Sequence, residues 1–157
     1  MKPVLVLGLG NLLLSDDAVG LRLLEELAGS AAGDEVEFVD GGTQGLALLP
    51  LLSDRQAIIV LDAIGLGSAP GTVHVLRDQD VGKLQARRAE SAHEGNGLQL
   101  LETARLLGEE WRELAVIGVE PAYVRTGIGL SPVVEAGMPQ ALQAARQVLR
   151  EMVAVCV

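Results

Sequence analysis

The sequence predicts an α/β fold: a single-domain three-layer sandwich, with a twisted, mostly parallel sheet and helices on both faces. Three observations carry this. Short continuous apolar runs recur along the chain, amphipathic helical patterns lie between them, and 157 residues suit one domain. An apolar run without polar alternation is how a strand reads when both of its faces are covered.

Taken in order, the runs are Val4 to Leu7, Val36 to Val39, Ala57 to Leu61 and Leu114 to Val119. Residues 18–28 follow the first run and place Leu23, Leu24 and Leu27 on one helical face, with Arg22, Glu25 and Glu26 opposite. Residues 70–77, PGTVHVLR, begin at a turn and alternate, which predicts an edge strand or hairpin. A helix is expected from about Leu98. The last helix is the clearest: Val134, Met138, Ala141, Leu142, Ala145, Val148, Leu149 and Met152 form a stripe opposite Gln143, Arg146, Gln147 and Arg150. Ser131 reads as its N-cap and Pro132 as its first residue, and Pro139 is expected to bend it. No repeat, linker or low-complexity stretch interrupts the pattern, so residues 1–157 read as one domain.

Composition narrows the function classes. With 49% apolar residues but one Trp, one Tyr and one Phe, the core must be built from Leu, Val, Ile and Ala. A net charge of −9 argues against nucleic acid or an anionic membrane as partner. The single cysteine, Cys156, excludes an internal disulfide and a cysteine-rich zinc site. The opening MKPVLVLGLGNLLL imitates a signal peptide, but its glycines, its asparagine and the two acids that follow oppose that reading. No stretch reaches the ~18 apolar residues of a membrane span. A cytoplasmic monomer is expected.

In open α/β sheets, ligands sit beyond the carboxyl ends of the strands. Reading past each strand collects Gly8-Leu9-Gly10-Asn11 with Asp16-Asp17, then Asp40-Gly41-Gly42, then Asp62. A dinucleotide would not tolerate so many acids. The G-x-G-x-x-G pattern also fails, with Leu13 in the third glycine's place, so a close helix approach is expected to be missing. An acid-lined pocket suits a cation, with Asn11 bracing the turn.

Two histidines could complete a cation site. His74 lies in the alternating TVHVL and reads as a strand residue; His93 lies in SAHEGNG, a polar glycine-flanked loop with no packing duty. Two carboxylates and an imidazole suit nickel, zinc, manganese or iron. Such an ion could polarise a carbonyl or lower the pKa of bound water to ~7. Each acid also has a plainer role. Asp16 or Asp17 could cap the first helix, worth ~1 kcal/mol. For Asp40 an Asx turn onto Gly41-Gly42 is preferred over catalysis. Asp62, directly after AIIVL, faces burial and needs a partner. Which of Asp16 and Asp17 serves the pocket stays open on these grounds. Nucleophilic alternatives are weaker: Cys156 is near the terminus, Ser91 sits in no G-x-S-x-G elbow, and H-E-x-x-H is absent.

Together, LGLGNLLLSDDAVG, DGGTQGLALLPLL, IIVLDAI, APGTV, SAHE, IGVEP and IGLSPVVE resemble, in that order, the hydrogenase maturation endopeptidases, from about Val4 to Leu149. The resemblance implies an α/β sandwich around a mixed sheet. It also implies a nickel-dependent endopeptidase, an aspartic or metal-type hydrolase, that removes the C-terminal extension of the [NiFe] hydrogenase large-subunit precursor after nickel insertion. By motif match, Asp17, Asp62 and His93 become the metal-binding and catalytic residues, which selects Asp17 over Asp16. Asn11 and Asp40 are left as loop support or substrate contacts. The nickel is expected to arrive with the precursor, and other divalent metals would fit the same donors.

Two departures stand out. The family's first-loop ligand is often Glu, one methylene longer than Asp17, and EGNGLQLL after His93 carries an extra residue. Peptidyl-tRNA hydrolases share a strand followed by GLGN, but the proline and early histidine of that family are missing, and the negative charge opposes tRNA. A non-catalytic nickel-dependent binding module or chaperone for the immature large subunit would use the same three ligands.

Overall fold

The structure is a computed structural model and describes residues 1–30, 33–88 and 96–156. Among the described residues five strands form one sheet: β1 (Val4–Leu9), β2 (Val36–Gly42), β3 (Ala57–Ala63), β4 (Val73–Arg77) and β5 (Glu113–Val119), in the order β2-β1-β3-β5-β4. The pairs β1–β2, β1–β3 and β3–β5 are parallel, and β4 runs antiparallel to β5 at the edge. The alternating PGTVHVLR stretch is therefore the edge strand that its pattern predicts.

Within each continuous apolar run the two-residue strand period still sorts side chains between faces. Val4 and Val6 join Ile59 and Ile117 on one side, under α1 (Val19–Ala28) and α5 (Pro132–Cys156). Leu5, Leu7 and Leu9 join Ile58 and Val60 on the other, under α2 (Leu49–Leu52), α3 (Asp78–Arg88) and α4 (Asn96–Leu106). Burying each such leucine contributes ~1.5–3 kcal/mol, which makes a core with few aromatics sufficient. The one tryptophan is buried in the second layer, where Trp111 Nε1–H donates to the Leu52 carbonyl at 2.9 Å.

Several expectations change in detail. The parallel strands run further than their apolar runs, so Asp40 and Asp62 lie inside β2 and β3 rather than just past them. Glycine permits this on β5. Gly118 pairs with Asp62, and a Cβ there would lie 1.8 Å from the Asp62 carbonyl oxygen. On β2 the register slips between Gly8 and Leu9, pairing Gly8 with Asp40 and Leu9 with Gly42. Neither α2 nor α3 is singled out by the sequence; α3, DQDVGKLQARR, has no apolar stripe to announce it. The Ser131 hydroxyl donates to Asp16, and its carbonyl accepts the Glu135 N–H as the helix begins. Pro139 lies inside α5, which continues through it. Among the described residues no helix is long and apolar enough to cross a membrane.

The close helix approach that Leu13 was expected to forfeit is present by another route. Gly20, in the first turn of α1, comes so near the sheet that a Cβ would lie 2.3 Å from the Leu61 oxygen and 2.5 Å from the Leu9 oxygen. The missing third glycine of the turn is thus replaced by one inside the helix.

Candidate functional site

The chain leaves β1 toward β2 on one side of the sheet and returns to β3 on the other. That reversal opens a crevice at the carboxyl ends of β1 and β3, where α/β sheets bind ligands. Asp17 follows β1, and Asp62 is the penultimate residue of β3.

The loop after β1 folds back tightly. At Gly10, with φ +141, a Cβ would lie 2.1 Å from the Asp17 carbonyl oxygen, so a side chain there would block the turn. Asn11 then braces it in both directions. Its N–H donates to Asp17 Oδ2 at 2.9 Å, and its Oδ1 accepts the Leu13 N–H at 2.9 Å.

The neighbouring acids have separate surroundings. Asp16 is 0% exposed, and its carboxylate accepts the Ser131 N–H and hydroxyl and the Ala122 and Tyr123 N–H groups. Burial raises its pKa, but the hydrogen bonds from Ser131, Ala122 and Tyr123 prevail and hold it below the usual carboxylate range. Asp17 is half-buried and lines a cleft. Neither caps α1, whose N-cap is Ala18 with no side-chain bond.

The cleft holds about 360 Å³ and is lined by Leu46, Leu48, Leu100, Gln99 and Val124 among others. Asp17 carries the only charge among the described lining residues. The rest of the lining is uncharged and mostly apolar, with Asn11, Thr43 and Gln99 as its polar members, so the single carboxylate favours a cation or a hydrogen-bond donor as occupant.

Asp62 is buried behind this cleft. Its Oδ1 accepts the Ala63 N–H at 2.8 Å. Its Oδ2 faces the start of α4, where a Cβ on Gly97 would lie 3.4 Å from that oxygen and 3.4 Å from Leu9 Cδ1. Leu9 also lines the cleft, so Asp62 sits one side chain away from it. The N-terminus of α4 favours negative charge at this position. His93 lies outside the described residues. Among the described residues no group of three or more His, Cys, Asp or Glu side chains converges on one point.

The remaining candidates have local duties. Asp40 is exposed, and its Oδ1 accepts the Gly42 N–H at 2.9 Å, which is the Asx turn preferred for it. Because Gly42 lines the cleft, Asp40 supports its rim. His74 Nε2 lies 3.1 Å from Glu120 Oε1. Glu120 is a fifth acid at the same sheet edge, one that the sequence pattern does not single out. It is nearly buried, directly follows β5, and accepts the Leu66 N–H at 2.8 Å and the Ser68 N–H at 3.2 Å. Its place just after an apolar run was the available signal. At Cys156 burial pushes the thiol pKa up, which disfavours a nucleophilic thiolate.

Comparison with known proteins agrees with this fold. The family described as HycI, hydrogenase maturation protease, matches residues 21–148. The hydrogenase 2 maturation protease of Escherichia coli (strain K12) is 40% identical over 150 residues, covering 94% of this chain and 91% of the relative. The hydrogenase expression/formation protein HupD of Rhodobacter capsulatus is 38% identical over 153 residues, covering 95% of this chain and 73% of the relative. Among solved structures, the hydrogenase maturating endopeptidase HybD from E. coli superposes with a TM-score of 0.82 at 38% identity, covering 96% of this chain and 93% of the other. The hydrogenase 2 maturation peptidase from Thaumarchaeota archaeon SCGC_AB-539-E09 gives 0.70 at 30% identity, covering 94% and 98%.

Proposed function

The chain belongs to the hydrogenase maturation proteases, which are hydrolases, and from that premise we propose that it removes the C-terminal extension of the [NiFe] hydrogenase large-subunit precursor after nickel insertion. The observation that carries this reading is the placement of Asp17, in the turn that follows β1, and Asp62, near the end of the adjacent parallel strand β3, at one crevice, with Asp17 open to a mostly apolar cleft.

In this reading nickel belongs to the substrate. Asp17, Asp62 and His93 would offer it two oxygen donors and one nitrogen donor, a set suited to divalent nickel and to other divalent metals. Gly97, four residues after His93 in the sequence, packs on Asp62, which supports grouping the three. A divalent ion held there supplies Lewis acidity at the peptide carbonyl or at water.

The chain's own residues do the rest. The Asn11 N–H fixes Asp17 Oδ2, while Oδ1 has no hydrogen-bond partner among the described residues. A carboxylate held this way can take the proton of the water that attacks the scissile carbonyl. Asp62 is buried and hydrogen-bonded to the Ala63 N–H, so it serves as a fixed ligand rather than a mobile base. The buried Leu48 and Leu100 give the cleft an apolar wall that limits water beside the bond to be cut. We assign the reaction to the cytoplasm and to a monomer, with no part for a membrane or nucleic acid; the charge of −9 supports the last exclusion.

Intact-mass analysis of the precursor, nickel-loaded and nickel-free in parallel, tests the proposal. Loss of a C-terminal fragment from the loaded form alone is expected. Cutting of both forms equally removes the nickel gate. A nickel-dependent complex without cutting makes the protein a binding module.

A further inference from the structure

Residues 122–129 leave β5 for α5 without regular secondary structure and are mostly exposed, before Leu130 packs partly against the core and Ser131 is buried. Val124 is 50% exposed and Ile128 88%, and the Arg125 guanidinium stacks over the Tyr123 ring, 4.1 Å from its centroid. A segment that buries so little owes its order to its backbone hydrogen bonds.

Those bonds converge on residues 13–16. The Asp16 carboxylate takes the N–H groups of Ala122 and Tyr123 at one end and the N–H and hydroxyl of Ser131 at the other. One buried side chain thus closes the segment into a loop. Ser15 holds the middle: its hydroxyl donates to the Arg125 carbonyl at 2.7 Å and its N–H to the Gly127 carbonyl at 2.9 Å. The Gly127 N–H in turn donates to the Leu13 carbonyl at 2.9 Å. Ser15 makes these bonds at φ 50, in the left-handed region that a serine seldom adopts. The loop so held supplies Val124 to the cleft that Asp17 lines.

We infer that Asp16 is a positioning residue for substrate recognition, its buried carboxylate holding Ala122–Ser131 as the cleft wall against which the precursor docks beside the scissile bond. The inference rests on the proposed reading of the cleft as a protease site. A wall ordered in advance costs the substrate nothing to order, whereas a released wall must be ordered at each encounter. The effect therefore falls on KM and spares kcat, because Asp17 is held separately by Asn11.

The test compares Asp16→Asn with Val148→Ala, a cavity-forming change under the opposite part of α5, at a temperature where circular dichroism shows both folded. With nickel-loaded precursor, Asp16→Asn is expected to raise KM about tenfold or more and to change kcat by less than about threefold, while Val148→Ala moves neither. Should Asp16→Asn not fold, Ser131→Ala removes one of the four bonds and is expected to raise KM about threefold. An unchanged KM in whichever variant folds overturns the inference, as does a loss of kcat at constant KM. If the wild-type protein binds the precursor without cutting it, the proposed activity fails alone, and the same ratios are read from dissociation constants. Equal affinity of variant and wild type then overturns the inference.

Discussion

Ser131 and Asp16, 115 residues apart in sequence, are joined twice: the Ser131 N–H donates to Oδ1 at 2.7 Å and its hydroxyl to Oδ2 at 2.8 Å. The pair anchors the start of α5 to the loop that carries Asp17. Charge-assisted bonds of this kind, inside a fully buried site, are each worth ~1.5–3 kcal/mol. A serine at a helix start is normally read as a cap; here the acid claims it.

That anchor predicts an acid-sensitive fold. Burial raises the Asp16 pKa, the hydrogen bonds lower it, and the lowering wins. A carboxyl more acidic in the folded chain adds stability that is complete above its unfolded pKa of ~3.9 and is lost as pH falls through the folded value. The unfolded state binds the extra proton in that window, so stability rises with pH. Urea midpoints taken from about pH 6 down to about pH 3 should fall most steeply below about pH 4. Asp16→Asn should flatten that limb; an equally steep limb in the variant would assign the acid sensitivity to other groups.

The two acids of the crevice predict a different phenotype, in which activity is lost and the fold is kept. Asp17→Asn retains an oxygen for the Asn11 N–H, and the side chain is only half-buried, so stability should change by less than ~0.5–1 kcal/mol. Single-turnover cleavage should fall by at least about a hundredfold as the proton acceptor disappears. Asp62→Asn should abolish cleavage of the loaded precursor. Intact-mass time courses and thermal melts check both, and normal processing by Asp62→Asn removes that residue from the mechanism.

Strands, the last helix and the acids at one sheet edge are legible in the sequence because each rests on a local pattern. Both-face burial leaves an unbroken run such as Ala57 to Leu61, and the α5 stripe repeats over many turns. The strand ends are not legible. Whether β3 continues through Asp62 depends on Gly118, more than fifty positions on, leaving room for the Asp62 carbonyl. The division between Asp16 and Asp17 has the same character: the four donors that claim Asp16 come from residues 122–131, beyond the reach of any local pattern. His74 is readable as a strand residue, but its partner Glu120 emerges only once β4 lies antiparallel beside β5. The close helix approach is not legible in the turn, because the glycine that permits it, Gly20, sits in α1.

Glu120 predicts a local loosening. One oxygen, Oε1, accepts the Leu66 and Ser68 amides and faces His74, so it ties down the chain between β3 and β4. Glu120→Ala leaves two backbone donors without that acceptor, at ~1–3 kcal/mol if they remain buried. The less costly outcome is that the loop opens to water. Hydrogen exchange at Leu66 and Ser68 should accelerate at least about tenfold while exchange in β1 and β3 is unchanged. Unaltered protection at the two amides would show that other contacts hold the loop.

Gly20 gives the sharpest test of how the site is built. A Cβ there would lie 2.3 Å from the Leu61 oxygen, 2.5 Å from the Leu9 oxygen and 2.8 Å from Asp62 Cα. All three are backbone atoms of the strands that carry the site, and none can rotate aside. In Gly20→Ala the helix must therefore withdraw, and such overpacking typically costs ~1–3 kcal/mol. Replacing glycine by alanine in a helix returns at most ~1 kcal/mol, so destabilisation should win. For a chain of this length each kcal/mol is worth ~2–4 °C, which puts the expected loss in Tm at several degrees. Gly82→Ala in α3 is the matched control, because nothing lies within 4 Å of its added Cβ. There the helix propensity acts unopposed, and Tm should rise by about one to a few degrees. Cleavage by the Gly20 variant should also fall at temperatures where it stays folded, since the helix it displaces follows directly on Ser15–Ala18, the turn that presents Asp17. If both alanine variants raise Tm, α1 has room to move, and the close packing of Gly20 does not set the position of the acids.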